Sequence, residues 1–147
     1  MGEFMDKFVR ASKVVRAASD MAVRRHGLHL GQNMVLIALR ERNGQTPGDI
    51  ATLLNVTTPT VVKMATRMTT AGLLTRRRDD PDNRLVRLYL TDAGLALCGP
   101  VEEELNRLEA HISAGLTDEE LKVLIIALDR IGDNALTFLA GSRPESC

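Results

Sequence analysis

Two helix starts lie in tandem in the middle of this chain, and few small folds accommodate such a pair. The first is Thr46-Pro47-Gly48-Asp49. Thr46 can accept a bond from a backbone N–H of the first turn, Pro47 fits the first helical position, and Asp49 sits where the acid of a capping box bonds back to the cap. The helix it opens is short, about residues 47–54, and Asn55 tolerates the left-handed conformation that ends it. A second start follows at once: Thr57 or Thr58 caps, Pro59 is the first helical residue, and the helix runs to Ala71 before Gly72. Two short capped helices joined by a tight turn predict a helix-turn-helix.

After Gly72 the hydrophobic period changes. Residues 73–78 and 85–90 read as strands, and the run Asp79-Asp80-Pro81-Asp82-Asn83-Arg84 between them is rich in turn formers. The helix-turn-helix is thus followed by a β-hairpin, a wing. Upstream, Phe4, Phe8, Ala11, Val15, Ala18 and Ala22 recur at helical spacing and predict an amphipathic helix of about 22 residues, stopped by Gly27. A second helix is expected from about Gly31 to Arg42, burying Met34, Val35, Leu36, Ala38 and Leu39, with Asn43-Gly44 as the turn after it. Downstream, Thr91-Asp92 caps a helix carrying Val101, Leu105, Leu108 and Ile112, and Gly99-Pro100 is expected to kink it or delay its start. Gly115 breaks it. Thr117-Asp118-Glu119-Glu120 is a second capping box, opening a last helix with Leu121, Leu124, Ile125, Leu128, Ile131, Ala135 and Leu139 on one face. Residues 141–147 read as a disordered tail. The expected fold class is mainly α with a small β-hairpin wing, in a single domain over residues 1–147. Aromatics make up only 3% of the chain, so its core must be aliphatic.

Charge adds to this pattern. The formal net charge is zero, yet residues 1–45 carry eight Lys and Arg against four Asp and Glu, and residues 55–90 carry seven against three. Residues 99–139 carry three against nine. The neutral total hides a basic part and an acidic part, the asymmetry a local phosphate footprint requires.

The helix opened by Pro59 places Val61, Met64, Ala65 and Met68 toward the core. Its other face then carries Thr60, Lys63 and Arg67, with Thr57 and Thr58 at its start and Val62 near the boundary. Short hydroxyls and cations on an exposed face suit a helix laid in the major groove of double-stranded DNA. The hairpin carries Arg76, Arg77 and Arg78 on its first strand and Arg84 at its tip, where an arginine can enter the narrow minor groove. Asp82 is placed to pair with that guanidinium and orient it.

These elements resemble those of the MarR family. Asp49-Ile50-Ala51, Leu54-Asn55-Val56-Thr57-Thr58-Pro59-Thr60-Val61 and the run from Gly72 through Asp82-Asn83-Arg84 to Leu90-Thr91-Asp92-Ala93-Gly94 are similar to the helix-turn-helix, wing and following helix of that family. The resemblance extends more weakly over nearly the whole chain. It implies a winged helix-turn-helix over about residues 31–94 and an obligate homodimer built from terminal helices over about 4–26 and 95–140. It implies DNA contacts from Thr57, Thr58, Thr60, Lys63, Arg67, Arg76, Arg78, Asp82 and Arg84, on a pseudo-palindromic operator with half-sites about one helical turn apart. It also implies a repressor released by a small anionic or aromatic effector, held by Lys13, Arg16 and Gln32. Lys13, Arg16 and Asp20 share a helix face by spacing, although Arg16 and Asp20 are also spaced to pair with each other. This chain has no aromatic residues around Gln32-Asn33, where many members of the family do.

The alternatives are a redox-responsive regulator of the same fold and a winged helix that contacts only proteins. Cys98 lies in an apolar helical stretch, where a free cysteine is ordinarily core, and Cys147 is in the tail. His26 and His29 have no Cys or carboxylate cluster beside them and His111 is isolated, so no metal site and no cofactor are expected. No Ser or Cys sits in a glycine elbow and there is no phosphate loop, so an enzyme is not expected. No apolar run approaches the ~18 residues of a membrane span and no secretory leader is visible, so the expected location is the cytoplasm, away from membranes.

Overall fold

A computed structural model describes residues 1–79, 81 and 84–142. In chain order it has α1 (Glu3–Arg24), α2 (Gln32–Glu41), α3 (Pro47–Leu54), α4 (Thr58–Thr70), β1 (Leu74–Arg78), β2 (Val86–Leu90), α5 (Asp92–Ile112) and α6 (Asp118–Gly141). The chain forms two compact units, Met1–Glu109 and Ala110–Cys147.

The first unit is built on the tandem helix starts. Thr46 Oγ1 accepts from the Asp49 N–H at 3.1 Å, and an Asp49 carboxylate oxygen accepts from the Thr46 N–H at 3.1 Å. That box holds the Asp49 carboxyl below its usual pKa, chiefly through the backbone bond from Thr46. Asn55 ends α3 at a φ of 54°. Thr57, not Thr58, caps α4, so the helix begins one residue before Pro59. A left-handed Gly72 then turns the chain into β1.

β1 and β2 pair antiparallel from Leu74 opposite Leu90 to Arg78 opposite Val86. The α2–α3 connection extends this ladder. The Gly44 N–H donates to the Leu88 carbonyl at 3.0 Å and the Leu88 N–H to the Gln45 carbonyl at 2.9 Å. Gly44 is required there: its φ is +80°, and a Cβ would stand 2.9 Å from the Tyr89 ring. The buried Gln45 side chain donates to the carbonyls of Ala38 and Arg42, satisfying the C-terminal end of α2.

Val23, Leu28, Val35, Leu36, Leu39, Ile50, Val61, Ala65, Met68, Leu74, Leu88 and Val101 form one buried cluster with Cys98. Each fully buried aliphatic side chain of Val or Leu size contributes roughly 1.5–3 kcal/mol, and aliphatics alone suffice here. Met34 departs from expectation: it is 48% exposed, because α2 turns Val35, Leu36, Ala38 and Leu39 inward and leaves position 34 outside that arc.

The start of α5 fixes the wing from the other side. Thr91 Oγ1 accepts from the Gly94 N–H at 3.1 Å and donates to the Gly72 carbonyl at 2.6 Å. A Cβ on Gly94 would lie 2.2 Å from the Leu73 carbonyl oxygen, so only glycine permits this approach. The predicted delay at Gly99-Pro100 does not occur. α5 runs from Asp92 through Pro100, since a proline removes one backbone donor without ending a helix that is packed at Cys98 and Val101.

In the second unit Thr117 and Glu120 form the expected capping box at 3.0 and 3.1 Å. α6 contains no buried residue. It extends to Gly141, so the helix takes in the first residue of the predicted tail; residues 143–147 lie outside the described residues. Among the described residues no helix is long and apolar enough to cross a membrane.

Candidate nucleic-acid interface

α4 divides its residues as its spacing predicts. Val61, Ala65 and Met68 are buried and Met64 half-buried, while Thr57, Thr58, Thr60, Lys63 and Arg67 are exposed. Val62, at the boundary, is 41% exposed. The cap gives the threonines different duties. Thr57 Oγ1 accepts from the Thr60 N–H at 3.3 Å and meets Thr60 Oγ1 at 2.8 Å, so Thr57 holds the N-terminus of the helix together. Thr58 and Thr60 follow on the first turn, with Lys63 and Arg67 one and two turns further along. The N-terminal end of a helix carries partial positive charge, which adds to these two cations toward an anion.

The wing arginines separate by strand alternation. Leu74, Arg76 and Arg78 lie on one face of β1, and Thr75 and Arg77 on the other. Arg76 Nη2 donates to Thr66 Oγ1 on α4. Arg77 stacks over the Tyr89 ring with its guanidinium carbon 4.7 Å from the centroid. On β2, Arg87 Nε donates to an Asp79 carboxylate oxygen at 2.9 Å and Arg87 Nη1 to the Gly44 carbonyl at 3.0 Å. The bond to Asp79 raises the Arg87 pKa above its already high ordinary value. Arg78 and Arg84 are exposed. The predicted pair between Asp82 and Arg84 lies outside the described residues.

Sequence reasoning missed Thr66, Arg87 and Tyr89. The alternation Leu74, Arg76 was legible, and it places Arg76 on the same side as a core leucine. The partner that it meets on α4 was not legible, because it depends on how strand and helix dock.

Elsewhere in the first unit, an open depression of about 400 Å³ is lined by Lys13, Arg16, Ala17, Asp20, His29 and Leu30. Asp20 is not paired to Arg16. One of its oxygens accepts from the Leu30 N–H at 3.2 Å and the other meets Arg24 Nε at 2.7 Å, the partner one turn on. Gln32 does not line this depression; it is buried, and its Oε1 accepts from the His29 N–H at 3.0 Å, tying down the start of α2. Cys98 is a buried free thiol whose Sγ lies 3.4 Å from the Gly94 carbonyl, and burial pushes its pKa up. His26 Nε2 stands 3.6 Å from a Glu104 carboxylate oxygen. No cluster of three metal-ligating side chains occurs among the described residues.

Residues 28–86, which span the helix-turn-helix and most of the wing, match the MarR family. The chain is 30% identical over 125 residues to the HTH-type transcriptional regulator PecS of Dickeya dadantii, an alignment covering 83% of this chain and 75% of that protein. A MarR protein from Peptoclostridium difficile superposes with a TM-score of 0.85 at 23% identity, over 97% of this chain and 93% of that one. The transcriptional repressor CouR, solved bound to a 23-mer DNA duplex, superposes with a TM-score of 0.80 at 28% identity, over 90% of this chain and 96% of that one. The family so matched is one of transcriptional regulators and not of enzymes. By its sequence and by its fold, this chain belongs to the MarR family of winged helix-turn-helix transcriptional regulators.

Proposed function

We propose that this protein binds double-stranded DNA sequence-specifically as a homodimer and represses transcription until a small anionic effector releases it. One observation carries the DNA reading: an exposed face of α4 presents Thr58, Thr60, Lys63 and Arg67, and a hairpin bearing Arg78 and Arg84 follows it directly. Lys63 and Arg67 reach phosphates or guanine edges, Thr58 and Thr60 reach bases or phosphates, and Arg84 enters the minor groove with Asp82 as its orienting partner. Thr57 acts from beneath, as the cap. CouR, at 28% identity, was solved bound to a DNA duplex, which supports DNA binding by this chain. The homodimer rests on the apolar residues that α1 and α6 leave exposed, each within its own unit. The protein works in the cytoplasm.

The test is selection from a random duplex pool by the purified protein. The expected product is a pseudo-palindrome with half-sites about 10 base pairs apart. A pool that stays random would refute sequence-specific binding and leave a winged helix used for protein contact.

The effector reading rests on the depression around Lys13 and Arg16. Asp20 is already engaged by Arg24 and by a backbone N–H, so the two cations there are not neutralised by it. On this reading the two cations pair with a carboxylate of the effector. Gln32 serves by shaping the α1–α2 connection rather than by touching the ligand. Arg16→Ala should leave DNA binding intact and abolish release by small carboxylates. The redox alternative is disfavoured, because the Cys98 thiol is buried and held protonated by its surroundings.

A further inference from the structure

Resting on the DNA-binding reading above, we propose that Arg76 is not a DNA contact but a positioning residue, which braces the wing against α4 through Thr66. The hairpin projects from the first unit on a turn of three residues, Ala71 to Leu73, and its reach depends on what holds its two flanks. β2 is held on its outer edge by the α2–α3 connection. The Gly44–Leu88 and Leu88–Gln45 backbone bonds, Arg87 on the Gly44 carbonyl, and the Leu90 N–H on Asn43 Oδ1 at 3.0 Å all lie on that side. On the β1 side the chain turns straight out of α4, and Arg76 reaches back to it.

Three features suit Arg76 to this role. Strand alternation puts it on the face of Leu74, the side that packs inward, and not on the face of Arg77. Its guanidinium donates to Thr66 Oγ1. The Thr66 hydroxyl gives its own proton to the Val62 carbonyl at 2.8 Å, so its oxygen is left as an acceptor aimed at Arg76. Thr66 also sits where a brace leaves the reading face open. At 3.6 residues per turn it stands about 60° round the axis of α4 from Lys63, on the side away from Thr60 and Arg67. The contact therefore sets the angle between the helix that reads the major groove and the hairpin that reaches the minor groove. A wing allowed to swing loses the register between the two.

The experiment uses the duplex that the unmodified protein selects, titrated by fluorescence anisotropy over a series of salt concentrations, with Arg76→Ala, Thr66→Val, their combination, Thr66→Ser and Arg84→Ala. A phosphate contact contributes about 0.9 to the slope of log K against log salt, and its removal lowers the slope by that amount. The brace predicts that Arg76→Ala and Thr66→Val each weaken binding about tenfold, the scale of one charge-assisted hydrogen bond. The double variant should be no weaker than either, Thr66→Ser should restore binding, and the slope should stay unchanged in all of these while Arg84→Ala lowers it. A lowered slope in Arg76→Ala, or unchanged affinity in Thr66→Val, would overturn the proposal. The same double-mutant cycle read by urea unfolding needs no DNA, and additive losses there would overturn the brace itself. A selection that enriches no duplex would remove the DNA reading, and with it the positioning role, whatever the unfolding cycle reports about the contact.

Discussion

The wing and helix-turn-helix of the first unit and the long helix of the second were built from the same kinds of residue, yet they end in opposite states. In the first unit Leu36, Leu39, Ile50, Leu74 and Leu88 are fully enclosed, and the polar groups around them are matched by the Thr46 and Thr91 caps and by Gln45. In α6 no residue is buried; Leu128 is 43% exposed and Phe138 74%. The winged helix-turn-helix thus encloses its own core, whereas α6, like α1, leaves apolar residues outside. An apolar helical stripe left in water is unfavourable, and association removes it. Under the homodimer proposed above, a second copy of this chain covers that stripe.

Glycine substitutions probe this contrast most severely. Gly94→Ala drives a Cβ to 2.2 Å from the Leu73 carbonyl, and should destabilise the protein by about 3 kcal/mol, read by urea unfolding. A Cβ at Gly132 on α6 would meet no other part of the same chain within 4 Å. Because Gly132 lies one turn from Leu128 on the apolar face, Gly132→Ala should be neutral or stabilising by up to about 1 kcal/mol when made in a monomeric background. Equal losses at both positions would erase the distinction drawn between the units.

Next in size is Leu128→Asp. A charge on the exposed stripe should convert a dimer to a monomer in analytical ultracentrifugation and lower operator affinity by roughly a hundredfold or more, since two half-sites no longer bind together. The helical circular dichroism signal should persist. A dimer that survives would place the interface elsewhere. Arg84→Ala should cost about tenfold in affinity, within the range for one arginine in a groove, with the dimer intact.

A cap in the first unit should give the mildest change. Thr46→Ala should cost about 1 kcal/mol of stability. It should flatten the acid limb of the stability curve only in part, because the Thr46 backbone N–H, the larger influence on the Asp49 carboxyl, remains, whereas Asp49→Asn should remove the carboxyl's whole contribution. The Asp49 carboxyl has its pKa depressed in the folded state by Thr46, so its contribution stands in full above about pH 4 and is lost as the pH falls through the folded value. An Asp49→Asn curve parallel to that of the unmodified protein at low pH would show that the box does not hold the carboxyl.

The sequence was most legible where a local rule acts alone. Thr46 with Asp49, Asn55, Gly72 and Thr117 with Glu120 each report a backbone requirement within three or four residues, and each appears in the structure as its pattern predicts. The alternation of core and surface along α4 was equally clear, and it brought Thr60, Lys63 and Arg67 to one exposed surface. What could not be seen were partners set by docking. Arg76 was expected to contact DNA and Arg87 was not singled out; in the structure they are respectively a link to Thr66 and a link to Asp79 and Gly44. Gln32 was placed beside a ligand by resemblance alone; its side chain instead tethers the His29 amide. Asp20 was spaced equally well for Arg16 and Arg24, and periodicity cannot choose between neighbours one turn away on either side.

If α4 and the wing form one basic surface that reads DNA despite a neutral chain, its affinity must respond to salt. The decisive experiment follows binding to the selected duplex by anisotropy across salt concentrations. Log K should fall linearly with log salt, with a slope of several units. The slope should be smaller in each of Lys63→Ala, Arg67→Ala and Arg84→Ala. Binding that ignores salt, or slopes unchanged in all three variants, would contradict a DNA-reading surface built from these residues.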